Sequence, residues 1–349
     1  MEFLRRSGVQ LWNPFEVESL PLLAATFVRA YRRYPRRTLA TALSKRAFRL
    51  LYKTLRSAGV GGRGRALYRR GGQVRPFGFN ARNSQFESIY MPHYAGAYEP
   101  ETLALLDALV GAQDVFYDIG SNWGHYTLHV ASRPGFAGRI HAFEPFPSSF
   151  KDLEETVRQA GLQDMVVCHN FALSNARAER AMTMPDGIRS GLAALSSAPG
   201  GVPVATFRLD DLSLPPPAVM KVDVEGHEAR VFEGGRKLLA AAAPLIVFES
   251  QASYENPAEV VKPLNVLEAL GYVFFVPTLL LEKDGVVCAL PSGVGERPHA
   301  ALDLGLFRLR REARFLFGEQ INILACPTSK LEQFASRFER VGHPGTKGD

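Results

Sequence analysis

Short apolar runs alternate with stretches of helical periodicity after residue 100, which predicts repeated strand and helix units. Strands buried on both faces form mainly parallel sheets, so the expected fold class is α/β. The predicted strands are 115–119, 139–143, 165–170, 219–222 and 245–248. The predicted helices are 101–110, 126–132, 148–159, 229–239 and 260–270. Two later apolar stretches, 272–276 and 321–325, are expected to form hairpin strands that complete a sheet of seven strands.

The pattern divides the chain into three expected parts. Residues 1–90 are predicted to be a basic, partly helical N-terminal segment, residues 91–335 the α/β domain, and residues 336–349 a flexible C-terminal tail. Within the first part, residues 59–72 are rich in Gly and Arg and are predicted to be a linker or mobile loop, with the ordered domain beginning after them.

Charge is distributed unevenly along the chain. The net charge is +6, but residues 19–86 hold 16 Lys or Arg and no acid, so residues 87–349 are acidic overall. The basic segment can dock on this acidic body or form a solvated face. It can also bind an anionic partner such as a membrane surface, a phosphorylated glycolipid or nucleic acid. Residues 20–55 mix apolar residues with Arg at loosely helical spacing, as in an interfacial amphipathic helix.

Cysteine content and hydropathy bear on the compartment. Cys168, Cys288 and Cys326 are far apart and odd in number, which favours neither a disulfide framework nor a zinc site. The first residues lack the apolar core of a signal peptide, and no run approaches the roughly 20 apolar residues of a spanning helix. We therefore expect a cytoplasmic location, with peripheral association at the inner membrane surface as an option.

A glycine-containing turn follows the first predicted strand. Asp118, Gly120, Asn122 and Gly124 occupy alternate positions between this strand and the next helix. Glycines allow the backbone to approach a ligand closely, and a helix start offers free N–H groups. The spacing differs from the dinucleotide fingerprint, because Asn122 stands where the second glycine would be, so a nicotinamide cofactor is the weaker choice.

Ionisable residues follow the other predicted strands. Glu144 comes 26 residues after Asp118, at a position from which a carboxylate can accept both hydroxyls of a ribose. Asp223, Glu225 and His227 follow the strand 219–222, and Glu249 follows 245–248. Because ligands of open α/β sheets lie at the carboxyl ends of the strands, these residues are candidates to meet an adenosine-containing ligand and a substrate.

These motifs together resemble the FkbM-type methyltransferase family. The matching stretches are GAYE at 96–99, DIGSNWG at 118–124, FEP at 143–145, NFAL at 170–173, KVDVEGHE at 221–228 and FE at 248–249. A weaker similarity appears in 271–272 and 322–327. Trp123 and His125 depart from the pattern, because the family more often has an aliphatic residue and an aromatic one there.

The resemblance implies a class I methyltransferase fold, a Rossmann-like, mostly parallel seven-stranded sheet flanked by helices, which binds S-adenosylmethionine. It places Glu99 near the cofactor, the turn 118–124 under its methionine portion, Glu144 and Pro145 at its ribose, and Asn170 and Ala172 near its adenine.

The resemblance also implies O-methylation of a hydroxyl on a sugar, a glycolipid or another natural product. The candidate catalytic residues are Asp223, Glu225 and His227, with His227 or Asp223 as the base. A divalent metal on Asp223 could acidify the hydroxyl, but no ligand spacing requires one, so no metal is predicted. The alternatives are an RNA or other nucleic-acid methyltransferase that uses the Arg-rich segment, and a non-catalytic nucleotide-binding protein at a membrane.

Overall fold

An eleven-stranded mixed sheet organises the fold. The computed structural model describes residues 3–33, 46–47, 50–52, 54–55, 60–91, 94, 98–183, 194–196, 201–283, 286–290, 302–318 and 320–341. The strands are β1 (Phe3–Val9), β2 (Phe15–Ser19), β3 (Arg63–Arg70), β4 (Gln73–Asn80), β5 (Val115–Ile119), β6 (Arg139–Phe143), β7 (Val166–His169), β8 (Ala172–Leu173), β9 (Ala178–Thr183), β10 (Ala194–Ser196), β11 (Val202–Phe207), β12 (Val219–Val222), β13 (Leu245–Gln251), β14 (Tyr272–Lys283), β15 (Val286–Leu290), β16 (Leu302–Leu309), β17 (Gln320–Pro327) and β18 (Glu339–Val341). The helices are α1 (Leu22–Arg33), α2 (Glu87–Tyr90), α3 (Pro100–Leu109), α4 (His125–Ser132), α5 (Pro147–Ala160), α6 (Glu228–Gly234), α7 (Arg236–Ala242), α8 (Pro257–Glu268) and α9 (Leu331–Ala335).

The main sheet has a parallel half and an antiparallel half. Its order is β18-β1-β16-β14-β17-β13-β12-β5-β6-β7, and β15 pairs with β14. Strands β13, β12, β5, β6 and β7 are mutually parallel, so their carboxyl ends meet at one edge. All five predicted strands of this half are confirmed, three of them with the predicted bounds. The sheet is nevertheless larger than the seven strands expected, because β1, β15, β16 and β18 extend its antiparallel half.

Side chains of successive strand residues face opposite sides of the sheet, and both sides are covered. Phe116 belongs to the core on one side, which also includes Leu128 of α4. Tyr117, the next residue along β5, packs in a separate core with Phe232 of α6. Burial on both faces explains why these strands have continuous apolar sequences instead of an alternating pattern.

Helix ends follow local sequence signals. Helix α5 has proline at one of its first two positions, where the missing N–H costs nothing, and it ends at Gly161 with φ 69°. The helix predicted over 229–239 is two helices, because the chain bends at Gly235 between α6 and α7. A β-carbon on Gly234 would lie 2.0 Å from the Ser174 carbonyl oxygen, so the close approach of that backbone requires glycine there.

The linker and the flexible tail predicted from the sequence are corrected by the structure. Residues 63–70 form β3, which pairs with β4 and β2 in a three-stranded sheet. Strand β1 of the predicted N-terminal segment pairs with β16 and with β18, and β18 falls within the predicted C-terminal tail. Residues of both segments therefore belong to the main sheet. The described part of residues 1–90 is therefore rich in strands as well as helical. Residues 342–349 of the predicted tail lie outside the described residues.

The three-stranded sheet is packed onto α4 and α5. The Tyr68 hydroxyl donates to the Leu128 carbonyl at 2.9 Å, and the Gly78 amide donates to Gln159 Oε1 at 2.6 Å. Phe77 on β4 is 1% exposed and belongs to the same core as α4 and α5. For residues 60–86, these contacts favour the alternative in which the basic segment docks on the acidic body over the one in which it stays free. Among the described helices, none has the length and apolar character needed to cross a bilayer.

We predict that Phe77→Ala lowers the free energy of unfolding by about 3–5 kcal/mol, because it removes a buried ring from the shared core. The matched control is Val74→Ala on the same strand, where the side chain is 45% exposed and the expected change is within about 0.5 kcal/mol. Urea denaturation followed by circular dichroism measures both. Equal small effects would contradict the packing of this sheet onto the domain.

Candidate active site

A cavity of about 480 Å³ opens at the carboxyl ends of β5, β6, β12 and β13. This is the edge at which ligands bind in open α/β sheets, and the volume is that of a small-molecule site. Of the predicted site residues, the cavity is lined by Gly120, Asn122, Glu144, Pro145, Ala172, Asp223, Glu225 and His227. Glu99, Asp118, Gly124 and Asn170 are not among its lining residues.

The turn after β5 brings the ends of β5 and β12 into contact. Gly120 has φ 87°, and a β-carbon there would lie 1.8 Å from the backbone oxygen of Asp223. Asn122 also has positive φ, 50°, and Gly124 has φ 95° directly before α4. The turn therefore depends on residues that tolerate the left-handed region.

Asp118 holds this turn from behind. It is 1% exposed, and its Oδ2 accepts hydrogen bonds from the Thr127 amide at 3.0 Å and the Thr127 hydroxyl at 2.6 Å. Burial raises the pKa of Asp118 to about 6, although these bonds oppose the shift. Asp118 thus anchors the turn to α4 through this oxygen, and its contact with a cofactor stays a prediction.

Glu144 lies at the end of β6 with both carboxylate oxygens held by the backbone. Oε2 accepts from the Asn122 amide at 2.9 Å and Oε1 from the Phe146 amide at 2.8 Å. Burial raises the pKa of Glu144 to about 7, although the two amides oppose the shift. Each oxygen retains a lone pair, so the fixed carboxylate can accept two further hydrogen bonds from a ligand.

Asn170 supports this region without lining the cavity. Its Nδ2 donates to the carbonyl oxygens of Glu144 at 2.9 Å and Pro145 at 3.2 Å. Ala172 in β8 is 6% exposed and lines the cavity beside Phe171.

Glu99 bonds to neighbouring side chains and is not among the residues that line the cavity. It precedes α3 with φ 41°, and its Oε2 accepts from the Tyr126 hydroxyl at 2.5 Å and Asn322 Nδ2 at 2.8 Å. Tyr98 and Tyr126 line the cavity next to it. Neither tyrosine was predicted as a site residue from the sequence, although Tyr98 lies inside the GAYE stretch.

A cluster of three carboxylates also lines the cavity. Single carboxylate oxygens of Asp223, Glu225 and Glu249 lie within 4.8 Å of one another. Burial, with Asp223 adding to it, raises the pKa of Glu225 to about 7 and that of Glu249 to about 9. Gln251 donates to both glutamates, at 2.8 Å and 3.0 Å. Oxygen ligands at this spacing are able to hold a divalent cation.

Lys221 supplies a buried positive charge behind this cluster. It is fully buried, its Nζ lies 3.4 Å from Asp223 Oδ2, and it stands 5.2 Å from the centre of the Tyr126 ring. Burial alone would lower the pKa of Lys221, but the carboxylates of Asp223, Glu99 and Glu249 raise it above its usual value. The ammonium therefore stays charged.

His227 stands between β12 and α6. Its Nε2 lies 2.9 Å from the Ser174 hydroxyl oxygen. Burial, together with Arg230 and Arg180, lowers the pKa of His227 to about 4, so the ring is neutral at pH 7. A neutral imidazole is able to accept a proton.

Comparison with known proteins assigns the family. The family described as "Methyltransferase FkbM domain" matches residues 110–274. The hexuronic acid methyltransferase AglP of Haloferax volcanii is 30% identical over 171 residues, which are 48% of this chain and 68% of that protein. The chain therefore belongs to the FkbM methyltransferase family, and it is a methyltransferase.

Solved structures are similar at a low level. The FkbM methyltransferase from Methylobacillus flagellatus KT has a TM-score of 0.38 and 14% identity, over 59% of this chain and 47% of that one. The precorrin-6y C5,15-methyltransferase from Geobacter metallireducens GS-15 has a TM-score of 0.33 and 16% identity, over 61% of this chain and 88% of that one.

We predict that Gly120→Ala destabilises the protein by about 3 kcal/mol, at the upper end of ordinary single substitutions, because the new methyl group would collide with the Asp223 carbonyl. Gly135→Ala is the matched control, since Gly135 has φ 76° with nothing near its missing β-carbon. Backbone strain alone should cost about 1–2 kcal/mol there. Denaturant titration of both variants checks this, and equal costs would contradict the contact between the two strand ends.

We predict that the stability of the protein falls as pH rises from about 4.5 to about 9, in part through Glu249. Its folded pKa is about 9 against an ordinary value of 4.5, so the folded state binds the proton more tightly and loses this advantage as the carboxyl ionises. Glu249→Gln should flatten the decline. Melting temperatures between pH 5 and pH 9 in EDTA buffer, with the exposed Glu259→Gln as control, measure it. An unchanged slope would contradict the raised pKa.

Proposed function

We propose that this methyltransferase takes its methyl group from S-adenosylmethionine and transfers it to a hydroxyl of a sugar, a glycolipid or another natural product. The observation that carries the proposal is the cavity itself, whose lining includes the carboxylates of Glu144, Asp223, Glu225 and Glu249. Burial raises the pKa values of three of these acids, and a bound cation such as a sulfonium favours their ionised form, whereas the phosphates of a dinucleotide oppose it. The nucleoside is assigned to Glu144 and the reacting methyl group to the Asp223 end.

The topology supports the same cofactor. The order β7-β6-β5-β12-β13-β17-β14 inside the main sheet agrees with a class I methyltransferase fold. The cavity lies where the strand order reverses, between β5 and β12, which is the ligand position in such sheets. Gly120 leaves this position free of a β-carbon, and Glu144 offers two fixed oxygens to ribose hydroxyls.

Methyl transfer asks little of the protein beyond alignment and proton removal. The cofactor supplies a methyl group on a positively charged sulfur. An in-line attack forms the new carbon–oxygen bond while the carbon–sulfur bond breaks, its electron pair stays on sulfur, and the acceptor proton leaves. We assign this proton to Asp223 or His227, since both line the cavity. Lys221 and Gln251 hold the acidic side chains in position.

A metal-assisted variant of this step rests on the Asp223, Glu225 and Glu249 cluster. These residues would hold a divalent cation, and such a cation would acidify the acceptor hydroxyl. Turnover before and after dialysis against EDTA separates the two routes, because the direct proton acceptor does not need the cation.

The name of the relative AglP supports a sugar acceptor, since that protein is a hexuronic acid methyltransferase. The described arginines of β3 support a nucleic-acid substrate less, because Arg65 and Arg69 pair with Glu18 and Glu16. Arg70 donates to the Ala131 carbonyl at 2.9 Å.

Peripheral membrane binding through the basic segment stays a secondary proposal. The apolar residues Ala24, Phe27 and Val28 of α1 are buried in the protein, so they are not presented to a bilayer. Leu22 of the same helix is exposed, so binding would combine electrostatic attraction with a small apolar contact. Co-sedimentation with anionic vesicles tests it, and binding that added salt does not weaken would contradict it.

Methyl transfer into cell fractions tests the proposed acceptor. Labelled S-adenosylmethionine is incubated with the protein and with lipid, polysaccharide, RNA or small-molecule fractions of an extract. We expect label in material that carries sugar hydroxyls. Label confined to RNA would support the nucleic-acid alternative instead, and an absence of binding and transfer would contradict the cofactor.

We predict that Asp223→Asn or His227→Ala lowers turnover by about 10²–10⁴-fold, the range for a lost general base, while affinity for S-adenosylhomocysteine changes little. The control is Asp211→Asn, an exposed aspartate outside the cavity. Turnover is measured by label transfer and affinity by calorimetry. If both variants keep full turnover, neither residue is the base, and a parallel loss of affinity and melting temperature would make the role structural.

A further inference from the structure

Ser174 holds the ring of His227 from outside the cavity. The Ser174 hydroxyl oxygen lies 2.9 Å from His227 Nε2. His227 lines the cavity, whereas Ser174 is not among the lining residues, so Nε2 is directed into the wall. The other ring nitrogen, Nδ1, bonds to no described residue and, unlike both ring nitrogens of His125, is not enclosed by protein atoms. The ring of His227 therefore has one bound nitrogen and one available nitrogen.

The backbone around Ser174 fixes the position of this residue. Ser174 follows β8, and its amide donates to the Phe207 carbonyl at 2.8 Å. Its own carbonyl oxygen lies against Gly234 of α6, where a β-carbon would come within 2.0 Å of it. Helix α6 begins directly after His227. These contacts therefore hold Ser174 against the same helix whose start carries the histidine.

A chain of side-chain hydrogen bonds continues from Ser174. Asn175 Nδ2 donates to Glu233 Oε2 at 2.8 Å, and because a carboxylate only accepts, this bond assigns the orientation of the amide. The Ser174 hydroxyl donates to Asn175 Oδ1 over 3.5 Å, the longest bond of the chain. A hydroxyl that donates to Asn175 offers its lone pairs to His227. Nε2 then carries the hydrogen of the neutral ring, and Nδ1 carries the lone pair.

We propose that Ser174 is a positioning residue that makes His227 Nδ1 the atom which takes the acceptor proton. This inference rests on the proposed function, since it takes the methyl acceptor and the proton transfer from there. When the acceptor hydroxyl loses its proton, the lone pair of Nδ1 binds it, and Nε2 keeps its bond to the Ser174 oxygen. Ser174 acts only through the ring, and the inference selects His227 over Asp223 as the base.

The position of the hydrogen on the ring tests the inference without any acceptor. Nuclear magnetic resonance of the full chain with isotopically labelled histidine distinguishes the two neutral tautomers, and His227→Ala identifies the signals of His227. We expect the hydrogen on Nε2. A hydrogen on Nδ1 overturns the inference, because that nitrogen would have no lone pair for the proton.

Turnover of the full chain tests the effect on the reaction, with labelled S-adenosylmethionine and unfractionated cell extract as the probe. Ser174→Ala should lower label transfer about 3- to 10-fold, the effect of one neutral hydrogen bond. In a chain that already carries His227→Ala, it should cause no further loss, because its effect passes through the ring. Ser132→Ala is the matched control. Its buried hydroxyl likewise accepts from a ring N–H, that of Trp12 at 3.0 Å, and donates to a carbonyl, outside the cavity.

Each outcome decides the inference. Slower transfer by Ser174→Ala, with unchanged affinity for S-adenosylhomocysteine, an unchanged Ser132→Ala and no further loss in the double variant, supports it. Full turnover of Ser174→Ala overturns it, and so does an equal loss with and without His227. If Ser174→Ala does not fold, the tautomer decides alone. A hydrogen on Nδ1 with normal transfer contradicts this inference only, whereas no transfer and no cofactor binding by the unmodified protein contradict the proposed function.

Discussion

The buried ammonium of Lys221 makes the rest of the site possible. A carboxylate taken out of water is strongly unfavourable unless it is paired or protonated, and this edge of the sheet buries several. Lys221 lies on β12, within reach of the charges of Asp223, Glu99, Glu249 and Asp118. Burial, to which the charge of Asp223 adds, still raises the pKa of Glu249 to about 9, because the one cation does not balance these acids. The excess of acid over base is the reason for proposing a cationic ligand in this cavity.

This imbalance arises from topology. Parallel strands place their carboxyl ends on one edge, so the acidic residues that follow β6 and β12 and the one near the end of β13 converge although they are far apart in sequence. The contact between Gly120 and the Asp223 carbonyl then holds two of these ends together. The clustered charges, the close approach of the two strand ends and the cavity therefore all follow from the same arrangement of parallel strands. The FkbM family match at residues 110–274 covers most of this arrangement.

The sequence predicted the parallel half of the sheet well, because strands buried on both faces leave unmistakable apolar runs. It failed for the N-terminal sheet, where Gly and Arg between the apolar residues indicate a loop. The sequence did carry a strand signal here. Ala66 and Tyr68, and likewise Phe77 and Phe79, are apolar or aromatic residues two positions apart, the period of a strand with one buried face, and all four are buried. Trp123, which differs from the residue type expected there from the resemblance, packs against Phe86 of this segment.

The candidate site was predictable only to the level of strand ends. The positions of strand ends identified Glu144 and Asp223, which line the cavity, and also Asp118, whose carboxylate bonds to Thr127. Glu99, expected near the cofactor from the family resemblance, bonds to Tyr126. Sequence position fixes where a residue lies along a strand or turn. The direction of its side chain depends on partners that are distant in sequence.

A crystal structure of the complex with S-adenosylhomocysteine tests the central claim most directly. The account predicts ribose hydroxyls bonded to Glu144 and the sulfur directed toward the end that holds Asp223, Glu225 and Glu249. A nucleoside bound elsewhere, or bound here with its ribose away from Glu144 and its sulfur away from the carboxylate cluster, would contradict it.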